Sequence, residues 1–133
     1  MEKKEFILIS LLPYFKDRSL CGMNPATDDC MYLTPEGKMC AIGQWLIDPK
    51  AMNELDVFTI IGIDQRTLKP EARGILSFME WTAMQSVHDT WANNYPDSGE
   101  ELGLSIRELE YQTNLELVEL YDAAGLKPLL EEA

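Results

Sequence analysis

The chain has 133 residues, 46% hydrophobic and 26% charged, the size of one ordinary domain with enough apolar material for a single core. Eleven Lys and Arg against 23 Asp and Glu leave a net charge of −12, which argues against a nucleic-acid backbone or an anionic membrane as the main partner. The longest apolar run, Phe6 to Leu12, is interrupted by Ser10 and stopped by Pro13, far short of the roughly 20 residues that a bilayer span needs.

Lys3 and Lys4 precede this run, but it is short for a secretory signal and no small-residue cleavage site follows. A cytoplasmic protein is expected, in which Cys21, Cys30 and Cys40 are free thiols or metal ligands rather than disulfide partners. Pro13 disfavours helix at Leu12, so a short first helix or strand followed by a turn is expected. The small polar residues from Asp17 to Asp29 read as a loop.

Residues Cys30–Thr34, Pro35-Glu36-Gly37 and Lys38–Ala41 read as strand, turn and return strand, a β-hairpin over residues 30–41. In that register Thr34 faces Lys38, Tyr32 faces Cys40, and Cys30 lies diagonal to Cys40 at roughly 7 to 8 Å. Ile42–Ile47 can begin a helix that ends at Asp48-Pro49. Val57–Ile63 is β-branched and apolar, and suits either a buried strand or a buried helical turn.

A central helix is expected over residues 70–93, with Pro70 at its first position and Tyr95-Pro96 beyond its end. Ala72, Ile75, Leu76, Met79, Ala83 and Val87 share one stripe, widened by Phe78, Trp81, Met84 and Trp91. Ser98 with Glu101, and Ser105 with Glu108, both have capping-box spacing. One or two acidic helices therefore follow over residues 100–124, with Gly125 as the stop. Ten Asp and Glu against Arg107 and Lys127 follow Asn94, so most of the net negative charge sits in the last third of the chain. The expected fold is α+β: a mainly helical single domain over residues 1–133, with the small hairpin packed on the central helix.

Two boxes stand out: Cys30-Met-Tyr32-Leu-Thr-Pro-Glu-Gly37-Lys-Met-Cys40-Ala41-Ile42-Gly43, and Met84-Gln85-Ser86-Val87-His88-Asp89. Together they resemble a group of small proteins encoded by bacteriophages and prophages, in which a C-x-Y-x4-G-x2-C-A-[IV]-G box is followed by L-Q-x2-H-D. The resemblance covers about Leu20 to Asp89, with Met84 in place of the usual Leu. It implies a phage-type setting in a bacterial cytoplasm and no particular chemistry.

Three sites can be read from these residues. Cys40, just after a turn glycine, with His88 and Asp89 as base and orienting acid, has the parts of a thiol nucleophile. Cys21, Cys30, Cys40 and His88 make a Cys₃His set for zinc, although their spacings lack the short-range ligand pairs of a strong zinc motif. Against both stands a structural polar cluster of Tyr32, Gln85, His88 and Asp89, in which Gln85, His88 and Asp89 share one helix face. The third site is an acidic surface of Glu100, Glu101, Glu108, Glu110, Glu116, Glu119 and Asp122, suited to a protein partner with a basic surface. No glycine-rich phosphate loop or serine elbow is present.

The expected function is therefore non-catalytic: an acidic phage-type accessory protein that binds and inhibits a host or defence-system protein. The competing reading is a small thiol enzyme or zinc protein built on Cys40 and His88. Tyr111, Leu115, Leu117, Val118, Leu120 and Tyr121 offer apolar surface for packing on the domain or for homo-oligomer formation through the C-terminal helices.

Overall fold

A computed structural model of the chain describes residues 2–17, 20–21, 33–34, 37–48, 67–92 and 99–126. Among these residues four α-helices carry the architecture: α1 (Lys3–Lys16), α2 (Phe78–Ala92), α3 (Gly99–Thr113) and α4 (Val118–Ala124), with 3-10 turns at Gly43–Trp45 and Pro70–Ala72. Helix α2 packs chiefly against α3, and α1 against α4 and α2. None of these helices is long and apolar enough to cross a membrane.

Helix α1 forms despite Pro13. Its inner face, Phe6, Ile7, Ser10, Leu11, Tyr14 and Phe15, is buried, and the amphipathic spacing of that face outweighs the lost hydrogen bond. Pro13 and Ile9, the residue whose carbonyl loses its amide partner, both lie on the exposed side. Glu5 in the first turn and Lys16 in the last suit the helix dipole.

The expected α+β class gives way to a mainly helical structure with no strand among the described residues. Thr34 and Lys38 do close a turn: the Thr34 N–H donates to the Lys38 carbonyl at 2.8 Å and the Gly37 N–H to the Thr34 carbonyl at 2.9 Å, with Gly37 at φ 88°. Beyond this turn, among the described residues, the Cys40 carbonyl accepts the Gln44 N–H at 3.2 Å and the backbone turns into Gly43–Trp45. Residues Cys30–Tyr32 lie outside the described residues, as do Val57–Ile63. Among the described residues one antiparallel bridge joins Leu46 to Leu68.

The central helix begins at Phe78, not at Pro70. Pro70 opens one 3-10 turn, Arg73 is extended, and Gly74 takes the left-handed φ of 75°. The helix start is a capping box: the Ser77 N–H donates to Glu80 Oε1 at 2.8 Å, and the Glu80 N–H donates to Ser77 Oγ at 3.2 Å. Trp81, Met84, Val87 and His88 are fully buried from this helix, whereas Met79 stays 52% exposed.

Helix α3 runs unbroken through Ser105, whose hydroxyl donates back to the Leu102 carbonyl at 2.8 Å, so the Ser105–Glu108 spacing starts no helix. Leu102, Ile106 and Leu109 face the core. Asn114 at φ 57° ends the helix, a conformation asparagine tolerates better than most residues. Gly125 at φ 72° ends α4, with the Leu126 N–H closing on the Tyr121 carbonyl at 2.8 Å.

Candidate functional site

The second box touches the first at a backbone amide. The Ile42 N–H donates to Gln85 Oε1 at 3.0 Å, and Gln85 Nε2 donates to Asp89 Oδ1 at 2.7 Å. His88 is fully buried, its Nδ1 lies 2.9 Å from the same Asp89 oxygen, and the Tyr14 ring meets it edge-on with centroids 4.7 Å apart. The Tyr14 hydroxyl continues to the Met39 carbonyl. Three segments, α1, the turn at residues 39–42 and α2, are thus tied through one polar cluster. Tyr32, which the sequence also assigns to it, lies outside the described residues.

A carboxylate at Asp89 can only accept, which makes Nδ1 the donor in this contact and leaves Nε2 as the second ring nitrogen. Among the described residues Nε2 has no hydrogen-bond partner. An acid-oriented imidazole with a free Nε2 is the form a general base takes. A base must reach its substrate, however, and the small cleft of about 250 Å³ beside it is lined by Thr82, Gln85, Ser86, Asp89 and Thr90, not by the imidazole.

Cys40 is fully buried, and its Sγ accepts the Gly43 N–H at 3.3 Å. The thiol thereby caps the 3-10 turn, and no hydrogen bond joins it to His88 among the described residues. Cys21 is also buried, and Cys30 lies outside the described residues. No group of three His, Cys, Asp or Glu among the described residues is placed to hold a metal ion.

The acidic residues separate into two roles. Glu101, Glu108, Glu116, Glu119 and Asp122 are exposed, and Glu100 lies in the first turn of α3. Glu110 points inward: its Oε2 accepts the Leu117 N–H at 2.7 Å and its Oε1 the Tyr121 hydroxyl at 2.9 Å. It joins α3 to α4, with both carboxylate oxygens engaged within the fold. Burial first, then the bond to Glu110, raises the Tyr121 phenol well above its ordinary value. Glu119 pairs with Lys4 at 3.3 Å. Its carboxyl is held below the ordinary range, first by a hydrogen bond from its own backbone amide, with burial opposing and Lys4 assisting.

Sequence spacing missed an apolar component of the same face. On α3 the outward stripe reads Glu101, Leu104, Glu108, Tyr111, with Leu104 51% and Tyr111 78% exposed. The sequence assigns Tyr111 to a surface that packs on the domain or pairs with another copy; it does not pack on the domain but sits out of phase with the buried positions Leu102, Ile106 and Leu109, a phase readable from the 3.6-residue period. A cleft of about 400 Å³ beside Tyr111 is lined by Arg107, Glu110, Asn114, Leu115 and Glu116 as well. No protein-family model matches the sequence, and neither a curated protein nor a solved structure matches it.

Proposed function

We propose that the protein acts by binding another protein, through the outward stripe of α3, and not by catalysis. The observation that supports this reading most is Tyr111, 78% exposed, with Glu108 one turn before it and Leu104 beyond. A large exposed aromatic with carboxylates around it suits a partner whose basic surface has an apolar recess for the ring. Glu116 extends the acidic charge across the cleft at the α3–α4 junction. Within this reading the protein is an acidic, phage-type accessory protein of the bacterial cytoplasm that covers, and so inhibits, a basic surface of a host or defence-system protein. The thiol and zinc reading draws less support, because Cys40 and His88 are both fully buried and Cys40 is engaged by Gly43.

Affinity capture from host lysate tests it, using the wild-type protein, a Glu101→Lys/Glu108→Lys variant and Tyr111→Ala. The expected result is one protein retained in stoichiometric amount at low salt, released at high salt, and lost with both variants. Retention indifferent to both variants overturns the reading. So does an enzymatic turnover that Cys40→Ser or His88→Ala abolishes while the fold survives.

A further inference from the structure

Helix α1 carries two apolar faces, one buried in the core and one that, among the described residues, is only half-buried. Phe6, Ile7, Leu11, Tyr14 and Phe15 fill the core, while Leu8, Ile9, Leu12 and Pro13 line an open cleft of about 840 Å³ beside α4. Ile9 is 45% exposed there. The ends of the cleft carry opposite charge, with Glu2 and Glu5 at one end and Lys16 at the other. Lys4 is taken by Glu119 at 3.3 Å, whereas neither Glu5 nor Lys16 has an ion-pair partner among the described residues.

Glu5, Ile9, Leu12 and Lys16 follow one another at intervals of four, three and four residues, the seam spacing of paired helices. The stripe reads acidic, apolar, apolar, basic. A second α1 laid antiparallel on it sets Glu5 against the second copy's Lys16 and Ile9 against its Leu12, and the same two-fold operation repeats both contacts. Parallel pairing would oppose Glu5 to Glu5 and Lys16 to Lys16. A uniformly acidic or uniformly basic ligand would satisfy one end and be repelled at the other. Self-complementarity of this kind selects a second copy of the chain as the occupant.

We propose that the outer face of α1 is a two-fold dimer seam built on Glu5, Ile9, Leu12 and Lys16. This goes beyond binding through α3, which lies on a different helix. A seam one short helix long falls at the small end of specific interfaces, so association on the order of 10 µM is expected.

Sedimentation velocity of the full chain, from low micromolar to several hundred micromolar, tests the proposal together with Glu5→Lys and Lys16→Glu. Each variant introduces two like-charge pairs per dimer and weakens self-association roughly tenfold. An equimolar mixture of the two variants restores both attractive pairs, and its dimer fraction returns to about the wild-type level. Glu5 and Lys16 are exposed, so both proteins should fold, which thermal unfolding checks. Tyr111→Ala should leave the dimer unchanged, which separates this result from the fate of the α3 reading. A wild-type chain that stays monomeric overturns the proposal. So does a dimer indifferent to the charge variants, a mixture that fails to restore it, or a dimer that Tyr111→Ala dissolves.

Discussion

The side-chain oxygen of Gln85 accepts the backbone N–H of Ile42 at 3.0 Å, across 43 residues of sequence. One amide side chain on α2 thereby fixes the turn that holds Cys40, while its nitrogen holds Asp89, which in turn orients His88. Gln85→Leu would leave the Ile42 amide and Asp89 without that partner in a half-buried setting, at a cost of about 1 to 3 kcal/mol. Gln85→Glu keeps an acceptor for Ile42 but sets a second carboxylate beside Asp89, so it too should destabilise near neutral pH. Urea unfolding midpoints of the two variants test this; a midpoint unmoved in Gln85→Leu would show that the cluster is not a structural tie.

Glu80 couples the start of α2 to α1. Its carboxylate completes the capping box with Ser77 and receives Lys3 Nζ at 2.6 Å. Burial by itself would raise this carboxyl, but the Lys3 bond and the Ser77 amide outweigh it and hold it below its ordinary value. The unfolded chain then takes up a proton more readily than the folded one as pH falls, so the contribution is complete above about pH 4.5 and is lost as pH drops through the folded value. Glu80→Gln retains a capping-box side chain yet removes the charge. It should lower stability at neutral pH by about 1 kcal/mol and flatten the acid limb of a stability-against-pH curve; an acid limb unchanged from wild type would count against the assignment.

Glu110 and Tyr121 give the alkaline counterpart. The phenol donates to Glu110 and is buried, and both effects favour the protonated form. Here the folded chain holds its proton more tightly, so stability is complete below about pH 10 and falls as pH rises beyond it. Tyr121→Phe should remove a late-titrating phenol from the ultraviolet absorbance of the native protein and cost about 1 kcal/mol at neutral pH. Glu110→Ala should cost more, because the Leu117 amide at the start of α4 loses its acceptor as well.

Local signals in the sequence placed the end of α4 well and the start of α2 badly. Gly125 acts as a stop because its left-handed φ of 72° is open to glycine, a property of one residue. Pro70 favours a helix start just as locally, but Gly74 breaks the chain after one turn and the Ser77–Glu80 box supplies a start that is satisfied at both ends. Pro13 misled in the other direction, since a buried face of six residues carries α1 through it. Glu110 looked like one more surface carboxylate, and only the break at Asn114 brings it over Leu117 and Tyr121. For the site, the helix phase placed Gln85, His88 and Asp89 together, whereas their contact with Ile42 is long-range and no local pattern encodes it.

Cys40 provides the test that bears most directly on chemistry. Its sulfur is fully buried and accepts the Gly43 N–H at the head of the 3-10 turn, the setting of an inert cysteine rather than of a nucleophile. In a background with Cys21 and Cys30 replaced by serine, alkylation of Cys40 should proceed only through opening of the fold, at a rate that climbs with added urea and stays far below that of the unfolded chain. Cys40→Ala should destabilise by about 1 kcal/mol or more through the lost cap and side-chain volume, with Cys40→Ser recovering part of the loss because a hydroxyl can accept the same amide. A native thiol that instead reacts as fast as the unfolded one, with little response to urea, would mean that the turn exposes Cys40 in solution. In that case the pairing of Cys40 with His88 would again be a candidate for catalysis.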